Sequence, residues 1–83
     1  MTYIDLEKMY QNVTTFLHSL GFSNVLYSVS WDTTKKSGKV TVSALRNQNT
    51  FIFLLNYWIY EDRVSFNLLL NEQEIYRNVI ALE

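Results

Sequence analysis

Few side chains in this 83-residue chain could carry acid–base or nucleophilic chemistry. There is one histidine, His18, and no cysteine. A general base needs a partner and a sheltered site. No Ser-His-Asp or Cys-His arrangement can be assembled around His18 by spacing, and the plainer reading is a surface residue on a helix. Zinc held by one imidazole and no thiolate would need three carboxylates. Without cysteine, disulfides and thiolate metal clusters are excluded. The carboxylates are Asp5, Glu7, Asp32, Glu61, Asp62, Glu72, Glu74 and Glu83. Glu61 and Asp62 are adjacent and could make a glycosidase-like pair or a metal site, but two acids in a turn are ordinarily just solvated. Glu72 and Glu74 read as the first turn of a helix, where negative charge complements the macrodipole. The expectation is a protein that is not an enzyme, with no catalytic, cofactor-binding or metal residues and no small-molecule substrate.

A second chemistry is phosphate contact. Lys35, Lys36, Lys39 and Arg46 are four of the seven basic residues and fall within twelve positions, with Trp31 just before them. A basic hairpin beside an aromatic ring can hold a single strand by phosphate contact and base stacking. Three lysines release few counterions, and the plain alternative is a solubilising hairpin tip. Nucleic-acid binding through Trp31, Lys35, Lys36, Lys39 and Arg46 is therefore carried as the alternative reading. The "NVT" at Asn12 is read as a chance glycosylation sequon, because it falls inside a predicted helix. Gly21 and Gly38 are isolated, so there is no glycine-rich phosphate loop.

The elements that must position these groups follow from periodicity. Leu6, Met9, Val13, Phe16, Leu17 and Leu20 recur at steps of three and four, which predicts an amphipathic helix over Tyr3 to Leu20. Thr2 with Asp5 is a weak capping box, and Gly21 suits the left-handed residue beyond the helix end. Val25, Tyr27, Val29 and Trp31 then alternate with Leu26, Ser28 and Ser30. "WDTTKKSGK", residues 31–39, reads as a hairpin loop. Val40, Val42 and Ala44 alternate with Thr41, Ser43 and Leu45, and residues 46–49 make the next turn. A third strand runs from Phe51 to Tyr60. Residues 61–63 turn the chain, and Val64, Phe66, Leu68 and Leu70 form a fourth strand. Asn71, with Glu74 three residues on, predicts a second helix whose stripe is Ile75, Val79 and Leu82. The expected fold is a single α+β domain over residues 1–83, in the order α-β-β-β-β-α. It is a four-stranded antiparallel meander with two helices packed on one face.

The third strand is anomalous. Nine of the ten residues from Phe51 to Tyr60 are apolar or aromatic, the exception being Asn56. Successive side chains alternate between faces. Phe51, Phe53, Leu55, Tyr57 and Ile59 are assigned to the helix-covered core. Ile52, Leu54, Trp58 and Tyr60, joined by Leu69 of the fourth strand, then lie on the open face beside Ser28, Ser30, Lys39, Thr41 and Ser43. Contiguous apolar surface of this kind marks an interface.

Composition narrows the class. A domain this small buries roughly 60–65% of its unfolded surface and often needs further support. Aromatic residues are 16% of the chain, charged residues only 18%, and the net charge is −1. That balance suits contact with protein better than with a polyanion. A secretory signal is not expected from "MTYIDLEKMY", and the apolar run at 51–60 is about half the length of a bilayer-spanning helix. No membrane association is expected, and the expected location is the cytoplasm of a bacterial host. The residue bias is that of AT-rich coding, which suggests a phage or mobile element. The functional expectation is a small inhibitory accessory protein. It would block a host defence or replication protein through the apolar sheet face, or form a homodimer through it. A toxin-neutralising immunity protein is the rival within that class.

Overall fold

The computed structural model describes residues 6–28 and 36–82. One helix, α1 (Glu7–Ser19), precedes five strands: β1 (Ser23–Ser28), β2 (Ser37–Arg46), β3 (Asn49–Ile59), β4 (Arg63–Leu70) and β5 (Gln73–Ala81). The strands form one antiparallel sheet in the order β1-β2-β3-β4-β5. The α+β class and the meander are as expected. The detail is not: the described residues form five strands and one helix where four strands and two helices were expected. The proposed Thr2–Asp5 cap, Val29, Ser30, Trp31, Asp32, Lys35 and Glu83 lie outside the described residues.

Helix α1 buries Met9, Val13 and Leu17 completely, the inner line of the predicted stripe. Its end is a Schellman motif. Phe22 N–H donates to Leu17 O and Gly21 N–H to His18 O, each at 3.0 Å. Gly21 takes the left-handed conformation, with φ of 88°, at no side-chain cost. Because the helix ends there, Leu20 lies off the stripe and is exposed. Phe22 beyond the turn joins the core and meets Phe51 and Phe53 edge-on, with ring centroids 5.1 and 5.3 Å away.

The core lies between α1 and one sheet face. Val40, Val42, Ala44, Phe53, Leu55, Val64, Phe66 and Leu68 supply the sheet side. All come from β2, β3 and β4, at every second position. Gly38 is part of β2 rather than of the expected loop, and it pairs directly with Tyr57. The Tyr57 side chain lies across it so closely that a Cβ at Gly38 would fall 2.5–2.8 Å from its hydroxyl oxygen, Cζ and Cε2.

Residues 73–81 overturn the expected second helix. Asn71 and Glu72 both have positive φ, 51° and 69°, the signature of a two-residue type I′ hairpin turn. Asn47 and Gln48, at 52° and 65°, repeat it between β2 and β3. Asparagine is favoured both at a helix N-cap and in left-handed turns, so Asn71 alone does not separate the two outcomes. Pairing decides. As a strand, residues 73–81 satisfy the backbone of β4 from Arg63 to Leu70. A shift in register between Leu68 and Leu69 brings Ile75 and Tyr76 both against the core cluster. Tyr76 then stacks on Phe16 at 4.1 Å. Its hydroxyl donates to Asn12 Oδ1, which also accepts from Asn78 Nδ2 at 3.2 Å. The asparagine of the NVT triplet is thus a polar tie between helix and sheet.

A second tie joins α1 to β1. Thr14 donates to the Tyr27 hydroxyl at 2.6 Å, and that hydroxyl donates to Tyr10 O at 3.0 Å. The neighbouring Tyr10 hydroxyl is buried with no hydrogen-bond partner. Burial, with Tyr57 and Tyr27 nearby, pushes its pKa up to about 12; burial likewise raises Tyr27. Both phenols titrate higher in the folded chain than in the unfolded one. Their contribution to stability is therefore complete below pH 10 and is lost as pH rises toward 12. Thermal unfolding midpoints should hold steady up to about pH 10 and then fall. Tyr10→Phe should keep or raise stability at pH 7, because an unbonded buried hydroxyl is removed, and should flatten part of the alkaline fall. A Tyr10→Phe protein less stable than wild type at pH 7 would mean that the hydroxyl is bonded after all.

Candidate protein-binding face

Among the described residues, no helix covers the second face of the sheet. Its side chains come from the alternate positions of every strand, and the pairing register arranges them in four rows. One row is Leu26, Ser43 and Ile52. The next is Ser28, Thr41, Leu54, Leu69 and Glu74. The third is Lys39, Asn56, Asn67 and Arg77, and the fourth is Ser37, Trp58, Ser65 and Val79. The third row is wholly polar, and the apolar side chains stand on either side of it, Leu26, Ile52, Leu54 and Leu69 in the first two rows and Trp58 and Val79 in the fourth, with polar residues among them.

The predicted interface residues lie where alternation placed them. Ile52 is 56% exposed, Leu54 37% and Trp58 43%. Leu69 is half-buried directly beside Leu54, and Tyr60 follows the end of β3 in the open. A shallow depression between the first two rows and the β4–β5 turn is lined by Thr41, Ile52, Leu54, Leu69, Asn71 and Glu72. The opposite set, Phe51, Phe53, Leu55, Tyr57 and Ile59, packs against the core.

Two contributors were missed. Leu26 is 66% exposed and Val79 is 53% exposed, on the two outer strands. Leu26 has the same parity as Ser28, so the signal was in the sequence. Val79 could not be placed on this face while residues 71–82 were read as a helix. With both included, exposed apolar side chains stand on the two outer strands as well as on β3, with the polar open-face residues of β2 between Leu26 and Ile52.

Glu74 of the second row is tied to the polar band. Glu74 accepts from Arg77 Nε at 2.8 Å and from Asn67 Nδ2 at 3.0 Å. These bonds, Arg77's first, hold its carboxyl below the usual range. Asn56 and Asn67 face each other across β3 and β4, and the Oδ1 of each is buried without a hydrogen-bond donor. An unpaired buried acceptor costs about 1–3 kcal/mol, so this band is the least satisfied part of the sheet.

The other candidate residues are not gathered into a site. Among the described residues, no group of three His, Cys, Asp or Glu side chains could hold a metal ion. His18 is exposed at the end of α1. Asp62 is held by Arg63 in a two-pronged contact at 2.9 and 3.2 Å, which lowers its pKa. Glu72 and Glu74 belong to the turn and to β5, not to a helix. The basic cluster is split. Lys36 and Arg46 sit at opposite ends of β2, about 30 Å apart by strand rise. Lys39 is on the open face, whereas the Arg46 guanidinium lies 5.4 Å from the centre of the Phe22 ring on the helix side. Among the described residues, no helix is long and apolar enough to cross a membrane. No family model, curated protein or solved structure matches this chain.

Proposed function

We propose that this chain is a non-enzymatic protein-binding protein whose working surface is the open face of its sheet. The observation that carries the reading is the row pattern. Leu26, Ile52, Leu54, Trp58 and Val79 are all exposed on one face of one sheet. Leaving a large apolar side chain in water forgoes roughly 1.5–3 kcal/mol, and contiguous apolar surface, here Ile52, Leu54 and Leu69, marks an interaction site. Trp58 is the natural anchor, because interface energy concentrates in buried aromatic residues. Inhibitory and immunity roles both work by occupying a protein surface, and this face is suited to that. The nucleic-acid alternative has less support: Lys36, Lys39 and Arg46 are spread over two ends and two faces of β2.

Immobilised protein should retain a partner polypeptide, either a labelled copy of itself or a protein from its native cell extract. Leu54→Asp and Trp58→Asp should each lose the retained protein. Thr15→Asp, on the exposed side of α1, should keep it. Equal retention by all three variants would move the binding surface elsewhere, and no retention by wild type would end the reading.

A further inference from the structure

We propose that Asn78 guards the β5 edge: its side chain occupies a backbone donor that a second copy would need in order to add a strand there. The inference stands apart from the reading of the open face. Among the described residues, β5 ends the sheet and no strand lies beyond it. Leu82 N–H donates to Asp62 O at 3.0 Å. In that register Tyr76, Asn78 and Ile80 turn their backbone groups toward β4, and those of Arg77, Val79 and Ala81 turn outward. A row of outward donors and acceptors is a template for pairing with another chain. The residues along it enlarge the hazard. Ile75 to Leu82, "IYRNVIAL", holds one charge, no proline and no glycine, and segments of that kind stack readily as strands. The opposite edge is less regular: β1 is interrupted at Asn24, which has a φ of 52°, and its register with β2 shifts there.

The centre of the outward row is closed from within. Val79 N–H donates to Asn78 Oδ1 at 2.8 Å. The other end of the amide is held in place. Asn78 Nδ2 donates to Asn12 Oδ1 and to the Tyr76 hydroxyl, both at 3.2 Å. The Tyr76 hydroxyl donates onward to Asn12 Oδ1. Only one orientation of the Asn78 amide fits these partners. Reversed, it would set Nδ2 against the Val79 N–H, donor against donor, and Oδ1 against Asn12 Oδ1, acceptor against acceptor. Asn12 of α1 therefore fixes the amide, and the amide withholds the Val79 N–H from an incoming strand. A strand added at this edge would have to displace a bond already made.

The test uses the whole chain. Amide hydrogen exchange read by nuclear magnetic resonance, corrected for intrinsic rates, should show Val79 exchanging about two- to tenfold more slowly than Arg77 and Ala81. In Asn78→Ala that difference should vanish. The sedimentation-equilibrium mass of this variant should rise above that of the wild type as concentration goes from micromolar to millimolar. Alanine is a poor strand former, so the gain does not come from propensity. Asn78→Ala combined with Val79→Pro should return to the wild-type mass, because proline has no N–H to offer and is tolerated at an edge where that group faces outward. Asn12→Ala loosens the tie between helix and sheet but keeps the acceptor on Asn78, and should also keep the wild-type mass. A folded Asn78→Ala protein with the wild-type mass throughout overturns the guard. Equal association of Asn78→Ala with and without Val79→Pro overturns it too, because the contact then lies elsewhere. A wild type in which Val79 exchanges as fast as Arg77 and Ala81 overturns it even where Asn78→Ala fails to fold. None of these variants alters Leu54 or Trp58, so a failure here is distinct from a failure of the binding face.

Discussion

Phe66→Ala is expected to destabilise the fold by about 3–5 kcal/mol, the cost of a large cavity in a core that cannot close over it. Phe66 is fully buried on β4, a central strand, with β3 on one side and β5 on the other. Its ring lies 6.1 Å from that of Tyr76, whose other neighbour, Phe16, belongs to α1. Truncation therefore loosens helix, centre and edge together. A domain of this length has on the order of 4–12 kcal/mol of stability in all, so the variant should lose between about a quarter and all of it. The measurement is the urea midpoint at unchanged slope. Leu20→Ala, at the exposed end of α1, is the reference and should cost less than about 1 kcal/mol. A Phe66→Ala protein no less stable than that reference would mean that the core is not organised around β4.

Gly38→Ala carries the second large effect, for the opposite reason. Here the problem is an added atom. A Cβ would stand 2.5 Å from the Tyr57 hydroxyl oxygen and 2.6 Å from Cζ, inside any permitted contact, so the Tyr57 ring must leave its place. The expected cost is about 1–3 kcal/mol. Tyr57 also packs on the core cluster and is near Tyr10, so its displacement opens the seam between α1 and the sheet. The mechanism is specific enough to be tested as a pair. Tyr57→Leu removes the ring that the new methyl would strike. Gly38→Ala should therefore cost markedly less in the Tyr57→Leu background than in wild type, a coupling of the order of 1 kcal/mol in a double-mutant cycle. Strict additivity would show that glycine is needed there for backbone freedom and not for the ring.

The sequence by itself determined the inside and outside of most elements. Met9, Val13 and Leu17 at helical spacing could bury only one way, and Gly21 marked the end of the helix. Along β3, the absence of any polar residue in the set containing Phe53 and Leu55 pointed that set inward, and it is inward. Alternation then fixed Ile52, Leu54 and Trp58 on the open face, because a strand has only two sides. The turn at Asn47 and Gln48 was equally legible. What local pattern could not settle was the element after Asn71. Asn71 and Glu74 satisfy the rule for a helix start, and Ile75, Val79 and Leu82 are spaced for a helical stripe. Yet Ile75, Tyr76, Val79 and Ile80 are also β-branched or aromatic residues that fit a pleated sheet. With both local signals present, the tertiary structure decides. The outer edge of β4 needs partners for its backbone groups, and the hairpin at Asn71–Glu72 delivers residues 73–81 to it directly. That choice also fixed the extent of the open face. It brought Val79 and Arg77 onto a surface that sequence alone had ended at Leu69, and it set Glu74 against Asn67.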